Sequence, residues 1–281
     1  MLNRYLTASA LCLSAAVCWA QNTADSLPSN AISSKNAIES ASPGPDQPEL
    51  KVLLFSGTGW YRHPEIPSLN GWLVRLGAQH GVKFDISETG KDINEGNLAK
   101  YDVLLLNNSN TLDKVLNADQ RGAVETWFQR GHGIVALHAV LVHQEGWPWL
   151  MDLGGCDFNS DSEFLPARVL VDPQAKDHVA INVDVDSFWY SADWTNHTRT
   201  VTGLPGVRVL LRVDESTFDP VRDYFKTRDG KPMGADHPIC WTREKDGGRF
   251  FYTELGHDVR SLDTDFGRKH IVGAIRWAAK K

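Results

Sequence analysis

The hydrophobic pattern divides the chain into three stretches. An apolar run from Leu6 to Trp19 follows a single basic residue, Arg4, and gives way at small Ala20 to polar Gln21. This is the layout of a secretory signal (residues 1–20), and the run is shorter than the roughly 20 apolar residues that span a bilayer. Residues 21–49 are rich in Ser, Asn, Ala and Pro and nearly free of bulky apolar groups, so they read as a disordered linker. Hydrophobicity returns abruptly at Lys51-Val-Leu-Leu-Phe-Ser56, and one folded domain is expected over residues 50–281.

Within that domain the periodicities alternate. The apolar run 51–56 predicts a strand buried on both faces, and Ile66, Leu69, Leu73 and Leu76 recur at helical spacing across 65–80. Strands are predicted near 83–87, 101–106 and 133–138. A helix over 118–130 has Asn117 as its cap, Gln120 three residues on, and terminating glycines at 131 and 133. Strands joined by helices require right-handed crossovers and a parallel sheet, hence an α/β, flavodoxin-like, doubly wound and mainly parallel fold with helices on both faces. Beyond Val140, Trp- and Gly-rich loops separate strands near 168–171, 181–185, 207–213, 238–241 and 249–253. A closing helix over 266–279 has Phe266, Ile271, Ile275 and Ala278 as its inner stripe.

Composition narrows the partners. The chain holds 29 basic and 35 acidic residues, a net charge of −6, which argues against nucleic acid. With no stable membrane anchor expected, an exported periplasmic or secreted protein follows. Of four cysteines, Cys156 and Cys240 lie beyond residue 20, in flanks that resemble a loop and a buried strand, so two separate thiols are expected.

In an open parallel sheet, ligands bind beyond the carboxyl ends of the strands. Three histidines fall there: His63 after the first strand, His138 at the end of the fourth, and His257 after the late strand 249–253. They are the candidate catalytic residues. Ser56, Thr58, Trp60, Tyr61 and Arg62 in the first loop, with Asp236 and His237, are candidates for substrate binding. His63, His138, His237 and His257 with Asp236 also suit a divalent metal, His138, His237 and His257 foremost, although no close His-x-x-x-His pair is present. His80, His132 and His270 are expected to be solvated, and the acidic stretch 152–163 to be a hydrated loop.

Five segments carry a family resemblance: Phe55-Ser-Gly-Thr-Gly-Trp-Tyr-Arg-His63, Gly133-Ile-Val-Ala-Leu-His-Ala139, Leu211-Arg-Val-Asp-Glu-Ser216, Asp236-His-Pro-Ile-Cys-Trp241 and Gly248-Arg-Phe-Phe-Tyr-Thr-Glu-Leu-Gly-His257. In order and content they resemble the motifs of ThuA-like (trehalose utilisation) proteins. The resemblance implies a class I glutamine amidotransferase-like fold and a link to trehalose and related sugars, including 3-keto derivatives. The chain departs from the pattern at Val179, and at 188–197, where Trp189, Tyr190, Trp194 and His197 replace the usual Glu-Trp-Tyr. No site role is assigned to that segment. Leu137-His138-Ala139 stands where a glutaminase needs a cysteine, and no Gly-x-Ser-x-Gly elbow occurs, so neither amidotransfer nor serine hydrolysis is expected. The expectation is an enzyme acting on a carbohydrate or keto-sugar through histidine acid/base or ligand-positioning groups. A non-catalytic sugar-binding module and a metal-dependent hydrolase are the alternatives.

Overall fold

The computed structural model describes residues 49–281, so the processing and linker expected for residues 1–48 lie outside the described residues. The first half runs β1 (Leu50–Phe55), α1 (Ile66–Gln79), β2 (Val82–Ser87), α2 (Glu95–Leu98), β3 (Val103–Asn107), α3 (Ala118–Gln129) and β4 (Gly133–Leu137). The second half adds α4 (Pro148–Gly154), β5 (Phe158–Asp161), β6 (Leu165–Val171), β7 (Ser187–Ala192), β8 (Thr195–His197), β9 (Val207–Asp214), α5 (Asp223–Lys226), β10 (Pro238–Lys245), β11 (Gly248–Thr253) and α6 (Asp265–Ala278).

The main sheet has nine strands in the order β2-β1-β3-β4-β11-β10-β9-β6-β7. From β2 to β11 neighbouring strands are parallel, as the alternation of elements predicts. From β11 onward each pairing is antiparallel, so the second half extends the sheet with antiparallel strands, β6 and β7 lying outside β9. β5 and β8 pair separately.

Period-two alternation sorts the parallel strands between two cores. Val52 and Leu54, Val103 and Leu105, and Val135 and Leu137 face α1 and α6, meeting Leu69, Trp72, Leu73, Phe266, Ile271 and Ile275. Leu53 and Phe55, Leu104 and Leu106, and Ile134 and Ala136 face the other way, towards Val124, Trp127 and Phe128 of α3. The α3 capping box forms as expected, with Asn117 accepting from Gln120 N and Gln120 reaching back to the Asn117 N–H. Cys240 belongs to the first core and Cys156 to the second; both are free and buried, and the sheet separates the layers they occupy. No helix among the described residues is long and apolar enough to cross a membrane.

Three expectations fail here. The acidic stretch 152–163 is not a hydrated loop: it holds the end of α4 and β5, whose pairing with β8 buries Asp157 and Asp161. Residues 181–185 are not a strand: Ile181 and Val183 are buried, but their segment lies under α6, whose Gly273 lacks a Cβ where the backbone at Val179 and Ala180 approaches. The strand forms instead at Ser187–Ala192. His270, expected to be solvated, is fully buried on the inner face of α6, with Nδ1 2.8 Å from Ala180 O and Nε2 3.1 Å from Thr253 Oγ1. A single basic-looking residue in a helical pattern does not reveal which stripe it joins.

That burial lowers the His270 pKa from 6.5 to about 4, and burial does the same for His178. Between those values the unfolded chain binds more protons than the folded one. Stability is therefore complete above pH 6.5 and is lost as the pH falls towards 4, by up to about 3 kcal/mol for such a group. We expect the urea midpoint to drop over this window, and a His270→Phe variant to show a shallower drop.

Candidate functional site

The topology places the site before any side chain is considered. β1 leads outward to β2 on one side, and β3 lies on its other side, so the strand order reverses between β1 and β3. The loops leaving β1, β3, β4 and β11 all emerge at this carboxyl edge.

Buried amides tie those loops together. Asn70 of α1 accepts from Ser56 Oγ at 3.1 Å and from Asn107 Nδ2 at 2.8 Å. Asn108 donates to Asn107 Oδ1 and to Gly256 O, each at 2.9 Å, linking the β3 and β11 loops. Asn110 donates to Tyr61 O at 2.7 Å, and its Oδ1 accepts from Trp60 N at 3.2 Å. Gly59 permits this approach, because a Cβ there would lie 2.2 Å from Thr111 O.

The three strand-end histidines converge. Ring centroids lie 5.3 Å apart for His63 and His138, 5.0 Å for His63 and His257, and 4.6 Å for His138 and His257. His138 occupies the turn after β4 with φ +51°, a conformation uncommon outside glycine. The turn that follows β4 presents an imidazole and no thiol. Gly256, φ +132°, packs against Leu137 in the turn that precedes His257.

Asp193, buried in the short link between β7 and β8, backs the trio. Its Oδ2 lies 2.6 Å from His257 Nδ1 and 3.6 Å from His138 Nε2. Burial, reinforced by the neighbouring rings His138 and His257, pushes the His63 pKa down to about 3. Burial outweighs the pull of Asp193 at His138, leaving it at about 4. For His257 burial works in the same direction, but the hydrogen bond to Asp193 and its charge raise the ring above its ordinary value. At neutral pH, His63 and His138 are therefore uncharged.

The trio lines a cavity of about 560 Å³. Its walls include Asp161, Thr195, His197, Arg222 and Tyr252. His197 is buried, its pKa held near 3 chiefly by burial, and neither ring nitrogen has a hydrogen-bond partner. Asp161 lies with its Oδ1 2.6 Å from Arg222 Nε, without the angle of a hydrogen bond; burial raises its carboxyl to about 7 against the pull of Arg222. Exposed aromatics form the rim, with Trp60 at 63% and Tyr224 at 56% of their surface accessible.

Of the residues named from sequence, His63, His138, His257, Trp60 and Tyr61 line this cavity. The others lie elsewhere. Ser56 is absorbed into the Asn70 network, and Thr58 is not among the lining residues. Arg62 is exposed and paired with Glu88 at 2.7 Å. Asp236 binds Arg212, Thr200 and Thr202. His237 is buried between Glu215 Oε1 at 2.8 Å and Thr195 O at 2.7 Å, so as a metal candidate it is replaced by His63. Asp161, Asp193 and His197 were missed. The first falls in the stretch read as a hydrated loop, and the other two in the segment given no site role; their only sequence signal was proximity to Trp194 in an apolar context.

A doubly wound α/β domain with a histidine-lined cleft at its strand-order reversal is thus defined. The family model described as "ThuA: Trehalose utilisation" matches residues 51–278, and the chain belongs to that family. It is similar to a putative ThuA-like protein from Bacteroides uniformis (21% identity, TM-score 0.68, covering 83% of this chain and 92% of that one). It is also similar to one from Parabacteroides merdae (18% identity, TM-score 0.60, covering 82% and 90%). No curated protein matches.

The amide network carries a stability consequence. Asn70→Ala strands two buried donors, and each unsatisfied group costs about 1–3 kcal/mol. Urea denaturation should show a loss of roughly 2–6 kcal/mol for this variant.

Proposed function

We propose that the protein is an exported enzyme that processes a carbohydrate or keto-sugar by proton transfer next to a carbonyl. The observation that carries this reading is the convergence of His63, His138 and His257 in a cavity of about 560 Å³, within a chain of the trehalose-utilisation family. That volume admits a sugar, and the exposed ring of Trp60 suits stacking on its apolar face. The apolar run Leu6–Trp19 supports export.

In a 3-keto sugar the proton at C2 is acidified by the adjacent carbonyl. Two of the three imidazoles stay neutral, so each has one N–H to offer and they are poor bases at pH 7. We assign them to the substrate oxygens, where negative charge develops as the enediolate forms. Asp161 faces the same cavity with a carboxyl that exchanges protons near neutrality, and it is the group we assign to C2. Reprotonation at a different atom would complete an isomerisation, and departure of the C1 substituent with its bonding electrons an elimination.

The test is proton NMR of the protein with 3-keto-glucose and 3-keto-trehalose in deuterated water. Solvent deuterium should enter C2, and Asp161→Asn should slow exchange about 100-fold with little change in KM, the usual contribution of a general base. Absence of exchange, turnover or any ligand-induced shift would overturn both the catalytic reading and the sugar-binding alternative.

A further inference from the structure

We propose that His63, His138 and His257 together bind one divalent first-row transition-metal ion of the zinc type, leaving a coordination position open to the cavity. The inference rests on the geometry of the trio and stands whether or not the ligand in the cavity is a sugar.

The three residues come from loops after three different strands, yet one ring nitrogen of each lies within 4.8 Å of the others. In a tetrahedral site with bonds of about 2.1 Å the ligand nitrogens stand about 3.4 Å apart, so small side-chain rotations close the set. His63 Nδ1 and His138 Nδ1 are both buried and without a hydrogen-bond partner. Leaving a buried ring nitrogen without a partner is costly unless something occupies its lone pair. His257 differs because its Nδ1 is held by Asp193 at 2.6 Å, which leaves Nε2 as the free nitrogen. A carboxylate on the far nitrogen of a ligating histidine is the usual means of fixing its tautomer and raising its basicity.

Charge and access agree. Asp193 Oδ2 also lies 3.6 Å from His138 Nε2, and the buried, unpartnered Glu65 Oε2 lies 3.8 Å from His257 Nε2, so two carboxyl groups stand beside the place where a dication would reside. All three histidines line the cavity, which gives an ion a route in and gives a substrate oxygen a route to it. Three imidazoles favour zinc, cobalt or nickel over calcium or magnesium, which prefer all-oxygen sets. A second cluster, His143, Glu145 and Asp157, competes poorly. Asp157 Oδ1 already accepts from His143 N at 3.0 Å and Phe158 N at 2.7 Å, and His143 and Glu145 are solvent-accessible.

The experiment uses the purified protein after treatment with a chelator, titrated with Co²⁺ and separately with Zn²⁺. One equivalent of Co²⁺ should give the visible absorption of a low-symmetry, nitrogen-ligated ion, and Zn²⁺ should displace it and raise the thermal unfolding midpoint. His138→Asn, chosen because Asn tolerates the left-handed backbone at this position, should abolish the absorption while circular dichroism shows a folded protein. Asp193→Asn should weaken Co²⁺ binding about 10- to 100-fold without removing it, which keeps the proposal testable if the ligand variant fails to fold. His143→Ala should leave binding unchanged. Wild-type protein without stoichiometric absorption overturns the proposal, as does binding that survives His138→Asn but is lost in His143→Ala. Loss of metal binding with C2 exchange intact would leave the carbohydrate reading standing, and the converse would leave the metal site standing.

Discussion

The open edge of a parallel sheet is the constraint on which this molecule turns. Strands β1, β3, β4 and β11 end together, and their outgoing loops bring polar backbone into a region that apolar packing cannot stabilise. The solution is a set of side-chain amides: Asn70, Asn107 and Asn108 bond in series, and Asn108 and Asn110 donate to the carbonyl groups of Gly256 and Tyr61. With those loops fixed, His63, His138 and His257 have little choice but to meet. The strained turn at His138 is tolerable because Tyr252 Oη donates to the His138 carbonyl from the adjacent strand at 3.0 Å and holds it in place.

How much of this could be read beforehand follows from range. The parallel half was legible because each cue is local: a continuous apolar run at 51–56, a capping pair at Asn117 and Gln120, and helical spacing through 66–76. The three histidines were legible for the same reason, since each directly follows its own strand. What escaped depends on contacts distant in sequence. Asp193 gains its role only because β7 and β8 bring it 64 residues back from His257. His237 looked like a site residue because it stands in the motif 236–241 and offers an imidazole, yet the chain turns its ring inward between Glu215 and Thr195. Alternation at 181–185 imitated a strand, because side chains buried beneath a helix can show the same period as side chains in a sheet.

The cavity also changes the electrostatic character of its residues. Burial keeps His63 and His138 uncharged, while the same low-dielectric surroundings make the carboxyl of Asp161 reluctant to ionise. An acid and two of the three bases are thereby drawn towards neutrality from opposite directions, and an oxygen-rich guest meets lone pairs and exchangeable protons beside the charge of Arg222.

Asp193 joins two regions of different architecture: it is carried by the antiparallel wing, and it steadies rings supplied by the parallel half. The cleft is therefore not the property of either wing. Displacement of the outer antiparallel strands would draw the carboxylate away from His257 and His138, so competence of the site depends on the cohesion of the whole sheet. Substitutions in β6 or β7, far from any ligand, can thus be felt in the cleft through loosened alignment alone.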